Sequence, residues 1–184
     1  MGKLKVISGA PGSVMLLEPA RYDDRRGYFM ESWNRADMEA AGIYCDFVQD
    51  NESMSVYGVV RGLHYQQKPY TQAKLVRVIR GEVLDVAVDI RRDSPDFKKV
   101  FYALLSGENH RQFYIPHGFA HGFAVLSREA IFAYKCDNVY APSSERGIAC
   151  NDPDLAIDWQ IPVEDMIFSD KDLRHPQLKD AELF

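Results

Sequence analysis

The sequence has few cysteines, no long apolar run and no signal for secretion. Its three cysteines, Cys45, Cys136 and Cys150, are widely spaced and form neither a disulfide framework nor a metal-ligand pair. No apolar run approaches the ~20 residues of a transmembrane helix, and the N-terminal stretch MGKLKVISGAPGS lacks the apolar core of a signal peptide. These absences predict a cytoplasmic protein with reduced thiols and no membrane partner.

Positive charge is also in short supply. The net charge is −5, which argues against broad nucleic-acid binding because such binding neutralises many phosphates. The cations form no basic block, so a small anionic ligand held by a few of them is compatible with the pattern. The partner that we expect is therefore a small molecule and not a nucleic acid.

Several catalytic motifs are missing. The sequence has no Gly-x-Ser-x-Gly elbow and no cysteine near a histidine, which gives no support to nucleophilic serine or cysteine chemistry. Gly-x-Gly-x-x-Gly and phosphate-loop motifs are absent too, which removes the usual nicotinamide and nucleotide-hydrolysis functions. Acid-base chemistry without a cofactor remains.

Short strands dominate the pattern of apolar residues. A chain of 184 residues with 46% hydrophobic content predicts a single domain over residues 1–184. We expect Asn34 to cap a short helix over 35–41 that Gly42 stops, and covering loops after residue 141. Regularly spaced short strands predict an all-β sandwich or barrel, with strands over 14–18, 28–33, 75–79, 83–90, 101–105, 112–115, 119–126 and 130–136.

The stretch 60–74 (VRGLHYQQKPYTQAK) carries the best candidate for chemistry. His64 lies between Arg61 and Lys74, and we expect it beside a hairpin formed by segments 75–79 and 83–90. A histidine with two cations nearby suits proton transfer on an anionic substrate. The alternative is a core histidine whose ring nitrogens are satisfied by its neighbours.

Two histidine-containing stretches resemble those of cupins, which are double-sheet barrels with internal sites. The second metal-binding stretch of a cupin is matched by 116–121 (PHGFAH). The first would need a His-x-His pair, but here it reads His64-Tyr65-Gln66. Two histidines without a clear carboxylate partner are too few ligands for a typical transition-metal site. We therefore predict a cupin-type barrel without a metal.

Ten segments, in order over nearly the whole chain, resemble the dTDP-4-dehydrorhamnose 3,5-epimerase family. They are RGYFME (26–31), FVQDN (47–51), RGLH (61–64), KLVR (74–77), GEV (81–83), DVAVD (85–89), IPHGFAHGF (115–123), YK (134–135), PSSE (142–145) and SDKD (169–172). The resemblance implies a homodimeric, cupin-like double-sheet jelly roll with a short N-terminal helix and C-terminal covering loops. It also implies cofactor-independent epimerisation, through an enolate, at C3 and C5 of dTDP-4-dehydro-6-deoxy-D-glucose. The product is dTDP-4-dehydro-L-rhamnose, in dTDP-L-rhamnose biosynthesis.

The same resemblance implies residue roles. His64 matches the catalytic base, Asp172 the carboxylate that orients it, Tyr134 the acid on the opposite face of the sugar, and Lys74 the cation near the ketone oxygen. These roles make chemical sense, because inversion needs proton removal from one face, proton return to the other, and a stabilised enolate oxygen between the two steps. Substrate-binding positions are matched by Arg26, Glu31, Gln49, Asn51, Arg61, His121, Glu145 and Lys171.

Two departures from the family pattern and two other functions stay open at this point. Arg25 stands where an acidic residue is common, and Asp170 competes with Asp172 as the partner of His64. A relative that epimerises one centre only, or isomerises the ketone, would share the acid-base residues. A non-catalytic cupin that binds a sugar or a metal would have no need of them.

Overall fold

The computed structural model describes residues 4–184, and strands dominate it. One short helix, α1 (Arg35–Ala40), lies among these residues, and none of their helices is long and apolar enough to cross a membrane. The strands are β1 (Leu4–Gly9), β2 (Met15–Pro19), β3 (Arg21–Asp24), β4 (Gly27–Met30), β5 (Gln49–Val56), β6 (Val60–Gln66), β7 (Lys74–Arg80), β8 (Glu82–Asp89), β9 (Val100–Ser106), β10 (Gln112–Ile115), β11 (Phe119–Val125), β12 (Glu129–Cys136) and β13 (Glu145–Gly147).

The strands form two large antiparallel sheets and one separate hairpin. The six-stranded sheet has the order β1-β2-β10-β7-β12-β5, and the five-stranded sheet has the order β13-β6-β11-β8-β9. Strands β3 and β4 pair only with each other within the described chain. This arrangement confirms the predicted all-β, cupin-like jelly roll.

An apolar core joins the inner faces of the two large sheets. Val76 and Phe132 come from the six-stranded sheet, and Val83 and Phe123 come from the five-stranded sheet. The rings of Phe123 and Phe132 stack across the gap with centroids 4.2 Å apart. Burial of a phenylalanine stabilises a fold by roughly 1.5–3 kcal/mol, so this pair anchors one sheet to the other.

Each sheet is covered on its outer face by an irregular segment. Leu84, Val86 and Val88 on the five-stranded sheet pack against Trp159 and Leu178, which belong to the segment after residue 147. The six-stranded sheet packs Leu17, Leu75 and Tyr114 against Met38 of α1 and its neighbours. The expected C-terminal covering loops are therefore present, and they contain the 3₁₀ turns Val163–Asp165, Asp172–Arg174 and Leu178–Asp180.

The predicted helix forms for the expected reason. The Asn34 side chain accepts hydrogen bonds from the backbone N–H groups of Ala36 and Asp37, which satisfies donors that a helix start leaves unpaired. Gly42 follows the helix with a φ of 83°, a conformation that glycine adopts without steric cost.

The hairpin predicted beside His64 is wrong. Strand β7 belongs to the six-stranded sheet and β8 to the five-stranded sheet, so the turn at Gly81 crosses between sheets. Both strands are apolar on their inner faces, and these faces pack against each other in the common core. The strand predicted over 28–33 also ends earlier, at Met30, because residues 31–34 lead into α1.

Candidate active site

The predicted catalytic side chains meet between the two sheets. His64 comes from β6 of the five-stranded sheet, whereas Lys74 and Tyr134 come from β7 and β12 of the six-stranded sheet. All three line two adjacent cavities of about 490 and 310 Å³. The sheet arrangement thus places His64 and Tyr134 on opposite walls.

His64 forms a short contact with a buried carboxylate. Its Nε2 lies 2.6 Å from Oδ1 of Asp172, which begins a 3₁₀ turn in the C-terminal cover. The Ser169 hydroxyl donates to the other carboxylate oxygen at 2.7 Å. Burial opposes ionisation, but the hydrogen bonds from His64 and Ser169 outweigh it and lower the pKa of Asp172 to about 2.

This contact determines the tautomer of the histidine. An ionised carboxylate accepts hydrogen bonds and cannot donate them, so Nε2 of His64 carries the ring proton. The lone pair of the neutral ring is then on Nδ1, which has no hydrogen-bond partner among the described residues. An imidazole with an available lone pair and a carboxylate behind it is a general base.

Burial keeps Tyr134 in its acid form. Enclosure between the sheets raises the pKa of the Tyr134 hydroxyl, and nearby Arg61 opposes this shift only in part. Lys74 is half-buried, and its burial lowers the pKa of the ammonium group while Cys136, Asp85 and Glu145 oppose that change. The pocket therefore combines a protonated phenol with a poorly hydrated amine.

A second histidine–carboxylate pair lies deeper in the barrel. His121 on β11 faces His64 across the strand pair β6–β11. Its Nε2 lies 3.0 and 3.1 Å from the two carboxylate oxygens of Asp85, which is fully buried. Burial lowers the pKa of His121 and raises the pKa of Asp85, so it favours the neutral form of both groups.

Most of the predicted substrate-binding residues surround the same two cavities. Arg61, His121 and Lys171 line the larger one, while Gln49, Asn51 and Glu145 line the smaller one. Gln49 donates to Asn51 at 2.9 Å, as expected for amides two residues apart on one side of a strand.

Arg26 and Glu31 lie elsewhere. They are absent from the lining of both cavities and belong to or follow the β3–β4 hairpin. The Arg26 side chain is 84% exposed and pairs with Asp24 at 2.6 Å. Tyr28 and Phe29 on the same hairpin are 55% and 65% exposed. Within one chain, the structure does not bring these two predicted binding residues to His64.

Tyr140 and His175 are site residues that sequence reasoning missed. Tyr140 donates from its hydroxyl to Glu145 at 2.5 Å, and Lys171 pairs with the same carboxylate at 2.5 Å. The His175 ring packs edge-on to the His64 ring with centroids 5.2 Å apart. The sequence position of His175, three residues after Asp172, could have indicated that it belongs to the site, because a 3₁₀ turn brings residues at that spacing together.

Comparison with known proteins shows the same family over most of the chain. Residues 11–180 match the family model described as dTDP-4-dehydrorhamnose 3,5-epimerase. A dTDP-4-dehydrorhamnose 3,5-epimerase from Shigella flexneri is 50% identical over 182 residues, which cover 98% of this chain and 99% of that protein.

Solved structures agree with the match. The dTDP-6-deoxy-D-glucose-3,5-epimerase from Legionella pneumophila, in complex with dTDP-4-keto-L-rhamnose, is 50% identical and has a TM-score of 0.91, covering 96% of this chain and 94% of that one. A 3'-monoepimerase from Streptomyces bikiniensis, in complex with dTDP-quinovose, is 33% identical with a TM-score of 0.84, covering 93% and 88% of the two chains.

Proposed function

The chain belongs to the dTDP-4-dehydrorhamnose 3,5-epimerase family, and from that premise we propose that it epimerises dTDP-4-dehydro-6-deoxy-D-glucose at C3 and C5. The enzyme is then an isomerase of dTDP-L-rhamnose biosynthesis. The observation that carries the proposal is the His64–Asp172 pair, at 2.6 Å, on the wall opposite Tyr134 and Lys74. The Shigella flexneri protein that is 50% identical over 99% of its own length is named as an enzyme of this activity.

Proton removal falls to His64. A hydrogen on a carbon beside the ketone is acidic only when negative charge on the oxygen is stabilised as it develops. Nδ1 of His64 takes the proton, and ionised Asp172 stabilises the imidazolium that results. The Lys74 ammonium group, directly or through a water, stabilises the enolate oxygen.

Proton return falls to Tyr134. The raised pKa of its hydroxyl keeps it protonated until the enolate forms. Because it projects from the other sheet, it delivers its proton to the face opposite the one from which His64 took it. Once His64 has released its proton to solvent and Tyr134 has taken one up, repetition at the second carbon inverts both centres. Neither step uses a cofactor.

Arg61 and the amide pair of Gln49 and Asn51 suit the rest of the substrate. Arg61 reaches the larger cavity, where a guanidinium can make bidentate contacts to a diphosphate. Gln49 and Asn51 offer amide groups in the smaller cavity. We assign substrate binding to these residues together with His121, Glu145 and Lys171.

We further propose a homodimer in which the β3–β4 hairpin reaches the partner's cavity. The hairpin exposes two aromatic rings and carries Arg26, while Glu31 follows it directly. Neither Arg26 nor Glu31 reaches the cavities of its own chain. A symmetric dimer would place both residues at the active site and cover the aromatic surface. The cytoplasmic location and the single domain over residues 1–184 stay predictions.

The Tyr134→Phe variant tests the proposed chemistry most sharply. Its enolate can recapture a proton only from the face of His64, so in deuterated water we expect exchange at C3 or C5 with little inversion. The change removes one hydroxyl and conserves the ring, which limits packing defects. NMR of the substrate measures exchange and inversion separately.

The matched variant is His64→Asn, in which exchange and inversion should both disappear. Near-normal exchange in this variant would remove His64 from its role as base. Equal loss of exchange and inversion in Tyr134→Phe would assign Tyr134 to binding, and unchanged inversion would make another group the acid. Inversion at one carbon alone in the wild-type enzyme would favour the single-centre activity of the Streptomyces relative.

A further inference from the structure

Three metal-ligating side chains converge on the Nε2 side of the proposed base. His64, Asp172 and His175 each offer one ligand atom, and these three atoms lie within 4.8 Å of one another. Oδ1 of Asp172 is 2.6 Å from Nε2 of His64 and 3.9 Å from Nδ1 of His175. We propose that these three residues form an inhibitory site for a borderline divalent cation such as Zn²⁺.

His175 supplies an independent observation that points to a ligand. Its side chain is 10% exposed, and its Nδ1 is buried without a hydrogen-bond partner among the described residues. Buried ring nitrogens are normally paired. The ring is held in place by the His64 ring and by Gly147, where even a single added carbon would collide with it. A preorganised nitrogen thus lies beside the carboxylate with no function in the proposed reaction.

The separations suit zinc after small adjustments. Zn²⁺ binds histidine nitrogen and carboxylate oxygen at roughly 2.0–2.2 Å in tetrahedral geometry, which separates ligand atoms by about 3.3 Å. The contact of 2.6 Å must open and the separation of 3.9 Å must close, each by less than about 1 Å. The third pair, the ligand nitrogens of His64 and His175, lies within 4.8 Å and must close by at most about 1.5 Å. Two imidazoles and one carboxylate leave the fourth position to a water. Asp172 also lines the larger cavity, which provides an entry path for the ion.

Bound zinc would stop catalysis by reversing the tautomer of His64. Zinc takes the lone pair of Nε2, so the single proton of the neutral ring must lie on Nδ1. Nδ1 is the nitrogen that accepts the substrate proton, and once protonated it cannot do so. Lys74, Arg61 and the amide pair keep their positions. The ion therefore lowers kcat and leaves KM unchanged, an inference that depends on the proposed role of His64 as base.

Calorimetry with zinc chloride tests the site without reference to catalysis. We expect the wild-type enzyme to bind one Zn²⁺ per chain, and the His175→Phe variant to bind at least about tenfold more weakly. Phenylalanine keeps a ring against His64 and Gly147 but removes the nitrogen. If His175→Phe does not fold, His175→Gln removes the ring nitrogen with a smaller side chain. The control is His117→Gln, which removes a half-exposed histidine paired with Asp137 at 2.7 Å and should leave zinc affinity and activity unchanged.

Steady-state kinetics then locates the inhibition. We expect Zn²⁺ to lower kcat of the wild-type enzyme while KM stays within about twofold, and the inhibition constant to rise in His175→Phe by the same factor as the dissociation constant. A rise in KM at constant kcat, relief of inhibition in His117→Gln, or no stoichiometric binding to the wild-type enzyme would each overturn the site. Normal zinc binding by a chain that shows no substrate exchange would instead overturn the proposed function and leave the site in place.

Discussion

At the scale of single residues, two neighbouring aspartates have different surroundings. Asp172 is buried and contacts His64 at 2.6 Å, whereas Asp170 is exposed. We predict that Asp172→Asn lowers kcat by about 100-fold or more, because the amide neither fixes the tautomer of His64 nor stabilises its protonated form. Asp170→Asn is the matched control and should stay within about twofold of the wild-type enzyme. Single-turnover exchange measures the chemical step, and substrate titration measures binding. A larger loss of kcat in Asp170→Asn than in Asp172→Asn would make Asp170 the carboxylate partner of His64.

The same carboxyl group links the active site to acid stability. The fold lowers the pKa of Asp172 from 3.8 to about 2. The stabilisation that the ionised carboxylate adds to the free energy of unfolding is therefore fully present above pH 4 and is lost as the pH falls through 2. The shift corresponds to on the order of 2 kcal/mol. The unfolding free energies of wild type and Asp172→Asn, measured by denaturant titration, should therefore converge between about pH 5 and pH 2. A constant difference over that range would show that Asp172 does not ionise as described.

At the scale of elements, β6 depends on a close approach to β11. Gly62 has a φ of 126°, and a Cβ there would lie 2.6 Å from Cα of Gly122 and 2.7 Å from the carbonyl oxygen of His121. We predict that Gly62→Ala lowers the unfolding free energy by about 3 kcal/mol or more, through backbone strain and separation of the two strands. Exchange activity should fall as well, since β6 carries His64.

Gly27→Ala is the control for this variant. Gly27 has nearly the same φ, 128°, but a Cβ there meets nothing within 4 Å. The loss of unfolding free energy in Gly27→Ala should therefore be limited to backbone strain, about 1–2 kcal/mol. Equal destabilisation of the two variants in denaturant titrations would mean that the contact between β6 and β11 relaxes without cost.

Elements with two buried faces were the most predictable from sequence. The strand predicted over 83–90 is one of these: Leu84, Val86 and Val88 face the C-terminal cover, whereas Val83 and Ala87 face the inner core. Strand β5 was missed because its residues, QDNESMSV, carry almost no apolar periodicity. The backbone of β5 pairs along its whole length with β12. Backbone pairing does not require particular side chains, so the sequence does not reveal it.

The active site was less predictable from local pattern than the fold. His64 and Asp172 are 108 positions apart, and a 3₁₀ turn in an irregular segment brings them together. No periodicity encodes such a contact, so the expectation came from family resemblance. The erroneous hairpin of β7 and β8 has a related cause, because strands joined by a short turn usually pair, and only packing against the rest of the barrel separates them here.

At the scale of the whole molecule, the proposed dimer depends on the β3–β4 hairpin. We predict that Phe29→Glu, which places a charge on a ring that is 65% exposed, produces a monomer with weak substrate binding. Tyr102→Glu changes an aromatic residue that is 47% exposed on β9 and should leave the mass and the binding unchanged. Light scattering gives the mass and substrate titration gives the affinity. A dimeric Phe29→Glu variant with normal affinity would place the interface elsewhere.

The position of the base and the acid on different sheets has a consequence for how this reaction diversifies. Packed sheets lie roughly 10 Å apart, so the gap between His64 and Tyr134 is a property of the core, where Phe123 and Phe132 stack at 4.2 Å. A larger or smaller side chain in that core changes how far a sugar ring can rotate between the two groups. Selection can therefore alter which carbons invert through apolar substitutions that leave every acid-base residue in place, so two relatives with identical acid-base residues can make different stereoisomers.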